Sequence, residues 1–313
     1  MEDARLLHEV VLDALEFHAR PGNRRSLPPF GAPGRIFVLG SGNAFAAGRI
    51  IFRDRDAVFA DEGQYAHALE VKREPRIECG VVISSSGGKD APDLVKALLD
   101  ARLETYLLTC NEDAPAACPL DDAHVVCTPT QGEPITYNTH TYLGMILAHT
   151  AEDPGKIRDH IVRHVEPVID QQFDDLESAG AFFLLVHPEF DPVREMLLTK
   201  FDELFGPMVN GRCYTPEQTA HAKTLVPWDE ELFISFDPLD AADPIFGKGA
   251  RLNVPMPKPC GPAAMVAIGY YVIGRLQEAR TEDWFRKNAD AYKAIQQSLI
   301  DRVKAARAAS NWP

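Results

Sequence analysis

Short, unbroken apolar runs alternate along this chain with stretches whose apolar residues recur at helical spacing. The first helical pattern covers residues 2–19, where Leu6, Leu7, Val10, Val11, Leu15 and Phe17 recur near a helical period and Pro21-Gly22 closes the stretch. Arg35-Ile-Phe-Val-Leu39 is then a continuous apolar run of the kind buried on both faces of a parallel sheet, and Gly40-Ser-Gly-Asn43 follows it. The alternation continues with a helix over 44–54, a strand over 57–60, a helix over 64–72, a strand over 80–83 and a helix over 92–101. Strands at 105–109 and 124–127 and a helix over 139–151 complete this half. Residues 154–178 are charged, helical in pattern and without a long apolar strand, as expected of a linker. The pattern then restarts with a strand at 182–186, a helix over 190–205, strands at 231–236 and 251–254, and a helix over 261–279. A polar, amphipathic helix over 282–309 ends it. Strands alternating with helices predict an α/β fold with parallel sheets covered by helices. The restart predicts two such layouts, although no residue-level internal repeat marks a duplication.

Length supports this division, because 313 residues exceed what a single core usually organises. With 45% apolar and 25% charged residues, the composition is that of an ordinary globular protein. A net charge of −14 repels a phosphodiester backbone, and no Lys/Arg run offers a local exception, so nucleic acid is not an expected partner. No apolar stretch approaches the roughly 18 residues that span a bilayer, so no membrane partner is expected. Met1-Glu-Asp-Ala-Arg5 is not the basic start of a signal peptide, and the expected location is cytoplasmic. The six cysteines contain no C-x-x-C pair and read as reduced core thiols rather than disulfides or a zinc site. His160 and His164 are four apart but lack the glutamate of H-E-x-x-H, so neither a metal nor any other cofactor is expected.

In an open parallel sheet, ligands bind beyond the carboxyl ends of strands, which directs attention to the segments after Leu39, Ile83, Cys127 and Val186. The richest is Ser84-Ser-Ser-Gly-Gly-Lys89. Three hydroxyls, two glycines that let N–H groups turn inward, a helix start and the Lys89 ammonium suit an anion. The residues alone leave open a plain Ser/Gly turn with a capping serine. Ser41-Gly-Asn43 has the same strand-to-helix setting and offers a second ligand contact. It is not G-x-G-x-x-G, so a dinucleotide is not indicated. Further on, Lys200 and Glu203 are three apart on one helix, which makes either a surface ion pair or a carboxylate held ionised for acid/base work.

The order of these pieces resembles proteins with two sugar isomerase (SIS) domains, and in layout most closely the isomerase half of glucosamine-6-phosphate synthase and the small phosphoglucose/phosphomannose isomerases. The resemblance covers roughly residues 30–280. Ser84–Lys89 is similar to the family's S-x-S-G-x-T phosphate loop, which implies Ser84, Ser85, Ser86 and Gly87 as phosphate ligands, with Lys89 in place of the threonine. Ser41, Gly42 and Asn43 match the loop that contacts the sugar, and Glu133-Pro-Ile-Thr-Tyr-Asn-Thr139 resembles the segment whose Glu and Thr, here Glu133 and Thr139, flank it. Lys200-Phe-Asp-Glu203 resembles the K-x-x-E whose glutamate shuttles the proton. Thr215-Pro-Glu-Gln-Thr-Ala-His221 resembles the E-x-x-H region whose histidine opens the ring, with one more residue between Glu217 and His221 and with Ala222-Lys223 where glycine and proline commonly follow. Ile234-Ser-Phe-Asp-Pro238 is no S-x-S-G loop, so one anion site per chain is expected.

The resemblance implies two doubly wound, flavodoxin-like SIS domains in tandem, at 30–153 and 179–280. They are preceded by a helix and connector over 1–29, joined by the linker over 154–178 and followed by a helix over 281–313. It implies a phosphosugar aldose/ketose isomerase working through a cis-enediol, with an anionic sugar as ligand and a homodimer as the assembly. A sugar-phosphate-binding regulator without catalysis, and a deglycase or deaminase acting on a modified sugar phosphate, remain open beside it.

Overall fold

The computed structural model describes residues 5–31, 34–71, 77–134, 136–221, 228–237, 250–280 and 284–309. Parts of six expectations fall outside them: the first residues of the 2–19 and 282–309 helices, Lys72, Ile135 of the Glu133–Thr139 segment, the Ala222-Lys223 pair, and Pro238.

Among the described residues, nine strands form two parallel sheets. The first contains β1 (Arg35–Gly40), β2 (Ala57–Ala60), β3 (Ile77–Ile83), β4 (Glu104–Thr109) and β5 (Val125–Cys127) in the order β2-β1-β3-β4-β5. This is the flavodoxin-like order. The second contains β6 (Ala181–Leu185), β7 (Asn210–Tyr214), β8 (Glu231–Ser235) and β9 (Arg251–Asn253) in the order β7-β6-β8-β9, which repeats the arrangement of the first four strands. Within each strand the side chains alternate between faces. Ile36 and Val38 of β1 enter the large central core, while Phe37 and Leu39 enter a smaller core beneath the helices Tyr65–Val71 and Ala91–Asp100. Phe182 and Leu184 of β6 likewise face the central core, and Phe183 and Leu185 the opposite face, where Phe183 stacks on Phe233 at 4.6 Å. Burial on both faces is why these strands read as continuous apolar runs.

The strand β7 has no such run and was not expected. Asn-Gly-Arg-Cys-Tyr pairs with β6 alone, and of its side chains only Cys213 is buried. An edge strand with one buried residue leaves almost no hydrophobic signal. Its Gly211 lets the Phe201 ring lie against the backbone.

The two sheets share the central core. The helix Leu7–Ala19 packs along the helix Pro262–Ala279, which is apolar almost all round and buried. Leu7 N–H donates to Gln277 Oε1 at 3.0 Å, and a side chain on Gly274 would overlap the His8 backbone. Residues 154–178 are more than a linker. They form helices Pro154–His160, Glu166–Gln171 and Phe173–Ser178, with a π-helical turn between the first two, and they bury Ile157, Ile161, Val165, Ile169 and Leu176 in the same core. All six cysteines are free thiols; Cys79 and Cys213 are buried as expected, whereas Cys118 is exposed. Among the described residues, no helix is long and apolar enough to cross a membrane.

Where the first helix meets the π-helical turn Thr139–Leu143, His140 is fully buried, its Nε2 3.3 Å from Asp13 Oδ2 and its carbonyl 3.1 Å from His18 Nε2. Burial depresses the His140 pKa to about 4, against a partial offset from Asp13. An unfolded imidazole gains its proton near 6.5. The folded state resists it, so the stabilisation is complete above 6.5 and is lost as pH falls towards 4. Urea unfolding at pH 7 and pH 5 should show wild type losing about 2 kcal/mol more than His140→Gln over that interval. Equal losses would remove His140 as the acid-sensitive group.

Candidate functional site

β1 and β3 lie side by side at the centre of the first sheet, and each runs at its carboxyl end into a tight loop and a helix. After β1, Gly40 leaves no room for a side chain, since a Cβ would meet the Ala44 carbonyl carbon at 2.8 Å. Gly42, at φ 54°, turns the chain into the helix Asn43–Ile51. After β3, the Ser84–Lys89 loop curls on itself. Gly87 N–H donates to Ser84 Oγ at 3.1 Å and Gly88 N–H to Ser86 Oγ at 3.3 Å, while Gly87 and Lys89 take left-handed φ values of 63° and 51°. The base of the loop is tied to its neighbours, with Thr109 Oγ1 and Cys110 N–H both donating to the Ser85 carbonyl at 3.0 Å.

Gly87 itself does not face the ligand space. A side chain there would overlap Ala114, so its conformation is a packing requirement. Gly87→Val should destabilise the fold by about 1–3 kcal/mol and remove the melting-temperature rise that is expected of the wild type with inorganic phosphate. Gly88→Ala should keep the stability of the fold, because its added methyl meets only Ser86 Oγ, at 3.5 Å. Indistinguishable variants would show that the loop's curl is not what shapes the site.

A cavity of about 370 Å³ opens over these two loops. Its floor includes Ser41, Gly42, Asn43, Ser84, Ser85, Ser86, Gly88, Lys89 and Asp90. The facing wall comes from three other places. Thr199 and Glu203, one turn apart, project from the helix Val193–Phe205 that follows β6. Thr136, Asn138 and Tyr142 come from the segment after β5, and Tyr292 from the helix Trp284–Ala309. The loops after two strands of the first sheet and the helix after β6 of the second thus line one space, which holds both the anion-type loop and a carboxylate.

Glu203 is set by Lys200, which is fully buried and donates to both the Glu203 carboxylate and the Thr136 carbonyl, its ammonium 5.3 Å from the centre of the Tyr270 ring. Burial raises the Glu203 pKa, and the Lys200 ion pair and hydrogen bond oppose that rise. Lys200 therefore lies behind the cavity wall and acts on Glu203 from there. The Thr136–Asn138 segment is also held under backbone strain, since Thr136 and Asn138 adopt φ values of 75° and 56°, uncommon for non-glycine residues.

Glu133 and Thr139 stand one layer further back. The Glu133 carboxylate accepts from Thr139 N–H at 2.7 Å and from His140 N–H at 3.1 Å, closing the start of the helical segment that carries Tyr142. Burial pushes its pKa up to about 7 against those donors and against Lys200. Neither residue lines the cavity, so their place is in shaping the loop that does. His221 stands apart from both groups: it ends the helix Pro216–His221, is exposed and is not on the cavity wall. His160, considered above with His164, instead hydrogen-bonds through Nε2 to the Pro255 carbonyl at 2.8 Å.

Of the wall residues, Thr136, Asn138, Tyr142, Thr199 and Tyr292 were not anticipated. Thr199 precedes Glu203 by four residues and so shares its helical face, a spacing that the sequence does display. Tyr292 carries no such signal, because only the path of the last helix brings it here.

No protein-family model matches the chain, and no curated protein matches its sequence. Solved structures do resemble it. The C-terminal domain of glucosamine-fructose-6-phosphate aminotransferase from Francisella tularensis superimposes with a TM-score of 0.58 at 12% identity, covering 87% of this chain and 94% of that one. Glucosamine-6-phosphate deaminase from Thermotoga maritima gives 0.57 at 13% identity, with 87% and 91% covered. Tagatose-6-phosphate ketose/aldose isomerase from Escherichia coli gives 0.52 at 16% identity, with 88% of each chain covered. At these identities the likeness is one of fold, and it is the α/β, parallel-sheet fold of the SIS type.

Proposed function

We propose that the chain is a sugar-phosphate isomerase of two SIS-type domains, 30–153 supplying the anion-binding loop and 179–280 the base. The observation that carries this reading is the shared cavity, lined both by Ser84, Ser85, Ser86 and Lys89 of the loop and by Glu203. Proteins whose folds it shares are named for work on glucosamine 6-phosphate, fructose 6-phosphate and tagatose 6-phosphate. In the proposed reaction the loop hydroxyls, loop N–H groups and Lys89 hold the phosphate, and Ser41 to Asn43 contact the sugar. Glu203 removes the proton from C2 of the aldose, the C–H electron pair forms the C1=C2 bond of the cis-enediol while O1 takes up a proton, and as O2 gives up its proton to form the new carbonyl the carboxylic acid returns its proton to C1, so that one hydroxyl proton passes from O2 to O1. Lys200 positions this carboxylate and keeps it ionised rather than touching substrate. Remote binding at the loop places the reacting carbons.

His221 opens the ring in this reading only if it reaches the cavity of a neighbouring copy, since it lies outside its own. That requirement makes the proposed unit a homodimer. A regulator that merely binds sugar phosphates needs the loop but has no use for a half-buried carboxylate held by a buried lysine. The test is exchange: hexose and pentose phosphates incubated with the protein in D2O should acquire deuterium at the carbon next to the carbonyl, detected by NMR. Binding of a sugar phosphate without any exchange would leave the regulator as the better reading.

A further inference from the structure

We infer that the outer part of the last helix is a docking arm whose partner is the body of a second copy of this chain. The inference goes beyond the proposed reaction, which asks for a second copy without saying where the two copies meet.

The helix Trp284–Ala309 has 26 residues and is about 39 Å long. Its first turns rest on their own chain: Trp284 lies against Gly206, and Phe285 and Ala289 are buried. Beyond Ala289 every side chain that the structure describes is exposed, among them Tyr292, Ile295 at 61% and Leu299 at 53%. These apolar residues are in register. Phe285, Tyr292 and Leu299 are seven apart, and Ile295 falls between the last two at the spacing of a second seam position. The face that is buried in the first turns therefore continues outward as an exposed apolar stripe. A contiguous stripe marks a contact surface, whereas apolar residues scattered singly do not.

Charge identifies the occupant. The helix carries six Lys/Arg and two Asp/Glu, whereas the rest of the chain carries 26 and 44. A basic arm is complementary to the acidic body of another copy and repels another arm. In a two-fold pair each arm reaches across to the other body, so one interface contains two such contacts. The apolar stripe has a counterpart as well. Met208, 54% exposed, belongs to the turn Gly206–Met208 on which the arm's first residues pack, and it gives each body an apolar patch at the root of its arm. Tyr292 stands where the stripe begins and also lines the cavity, so the second copy docks at the rim of the site.

Sedimentation velocity of the full chain at micromolar concentrations tests it. The wild type should run at twice the mass of one chain. Ile295→Glu combined with Leu299→Glu alters residues already in solvent, so circular dichroism should be unchanged while the dimer dissociation constant rises about a hundredfold or more. Arg302→Glu should weaken the dimer several-fold in dilute buffer and less in molar salt. A monomeric wild type overturns the inference, and so does a dimer whose constant the paired variant leaves unchanged, since its interface lies elsewhere. A tighter dimer in Arg302→Glu overturns it too, because like-charged arms then meet each other. A monomeric wild type that cosediments with phosphatidylserine vesicles assigns the stripe to a lipid surface instead. Mass and deuterium exchange are separate readouts, so the docking arm and the proposed reaction can fail independently.

Discussion

Glu203→Gln is expected to stop deuterium exchange into bound sugar phosphate, lowering turnover by about a thousandfold or more while changing substrate affinity only a few-fold. The amide keeps the shape of the carboxylate and its place on the wall beside Thr199 but cannot take a proton. Because the substrate's phosphate is proposed to bind at the far loop, the variant should still show a melting-temperature rise with whichever sugar phosphate stabilises the wild type. Exchange at the wild-type rate in the variant would take Glu203 out of the reaction. Loss of both binding and exchange would instead show that the carboxylate shapes the pocket.

Lys200→Met should be the most damaging single change to the wall itself. The lysine is fully buried and bonds at once to Glu203 and to the Thr136 carbonyl, so its loss leaves a half-buried carboxylate and a strained backbone without their shared donor. Breaking a buried pair by removing one partner typically costs about 3–5 kcal/mol, which denaturant titration would register. The sign of the kinetic effect follows from the same pair. Burial already raises the Glu203 pKa and Lys200 opposes the rise, so removing Lys200 lifts it further. A base works only when ionised, and the acid limb of the pH–rate profile should therefore move to higher pH, with activity partly recovered in alkaline buffer. A limb that stays in place would separate Lys200 from the state of Glu203. Lys200→Arg is not expected to rescue, because the larger planar guanidinium does not fit a site closed to solvent.

How much of this was legible beforehand follows from where each residue sits. The buried strands announced themselves because both faces of β1, β3 and β6 meet apolar cores, so the stretches 36–39, 79–83 and 181–185 carry no charged side chain and read as apolar runs. The Ser84 loop was visible because a sheet end, a glycine pair and a helix start are consecutive in the chain. Glu203 with Lys200 was visible as a pair, since three residues on a helix are neighbours in space. Their depth was not: an exposed ion pair and one sealed behind a wall have the same spelling.

Local features of the chain, namely its apolar runs, its glycine turns and its short-range charge pairs, were sufficient to establish an α/β protein with parallel sheets and to mark where an anion and a base could stand. Which of those features meet was settled by packing over long separations. Residues 84 and 203 line one cavity because two sheets are joined through one core, Tyr292 reaches the cavity because the last helix passes it, and His221 stays outside because its helix follows an edge strand. Contacts of that kind depend on the summed burial of many side chains from distant segments, and no single stretch of sequence contains that sum.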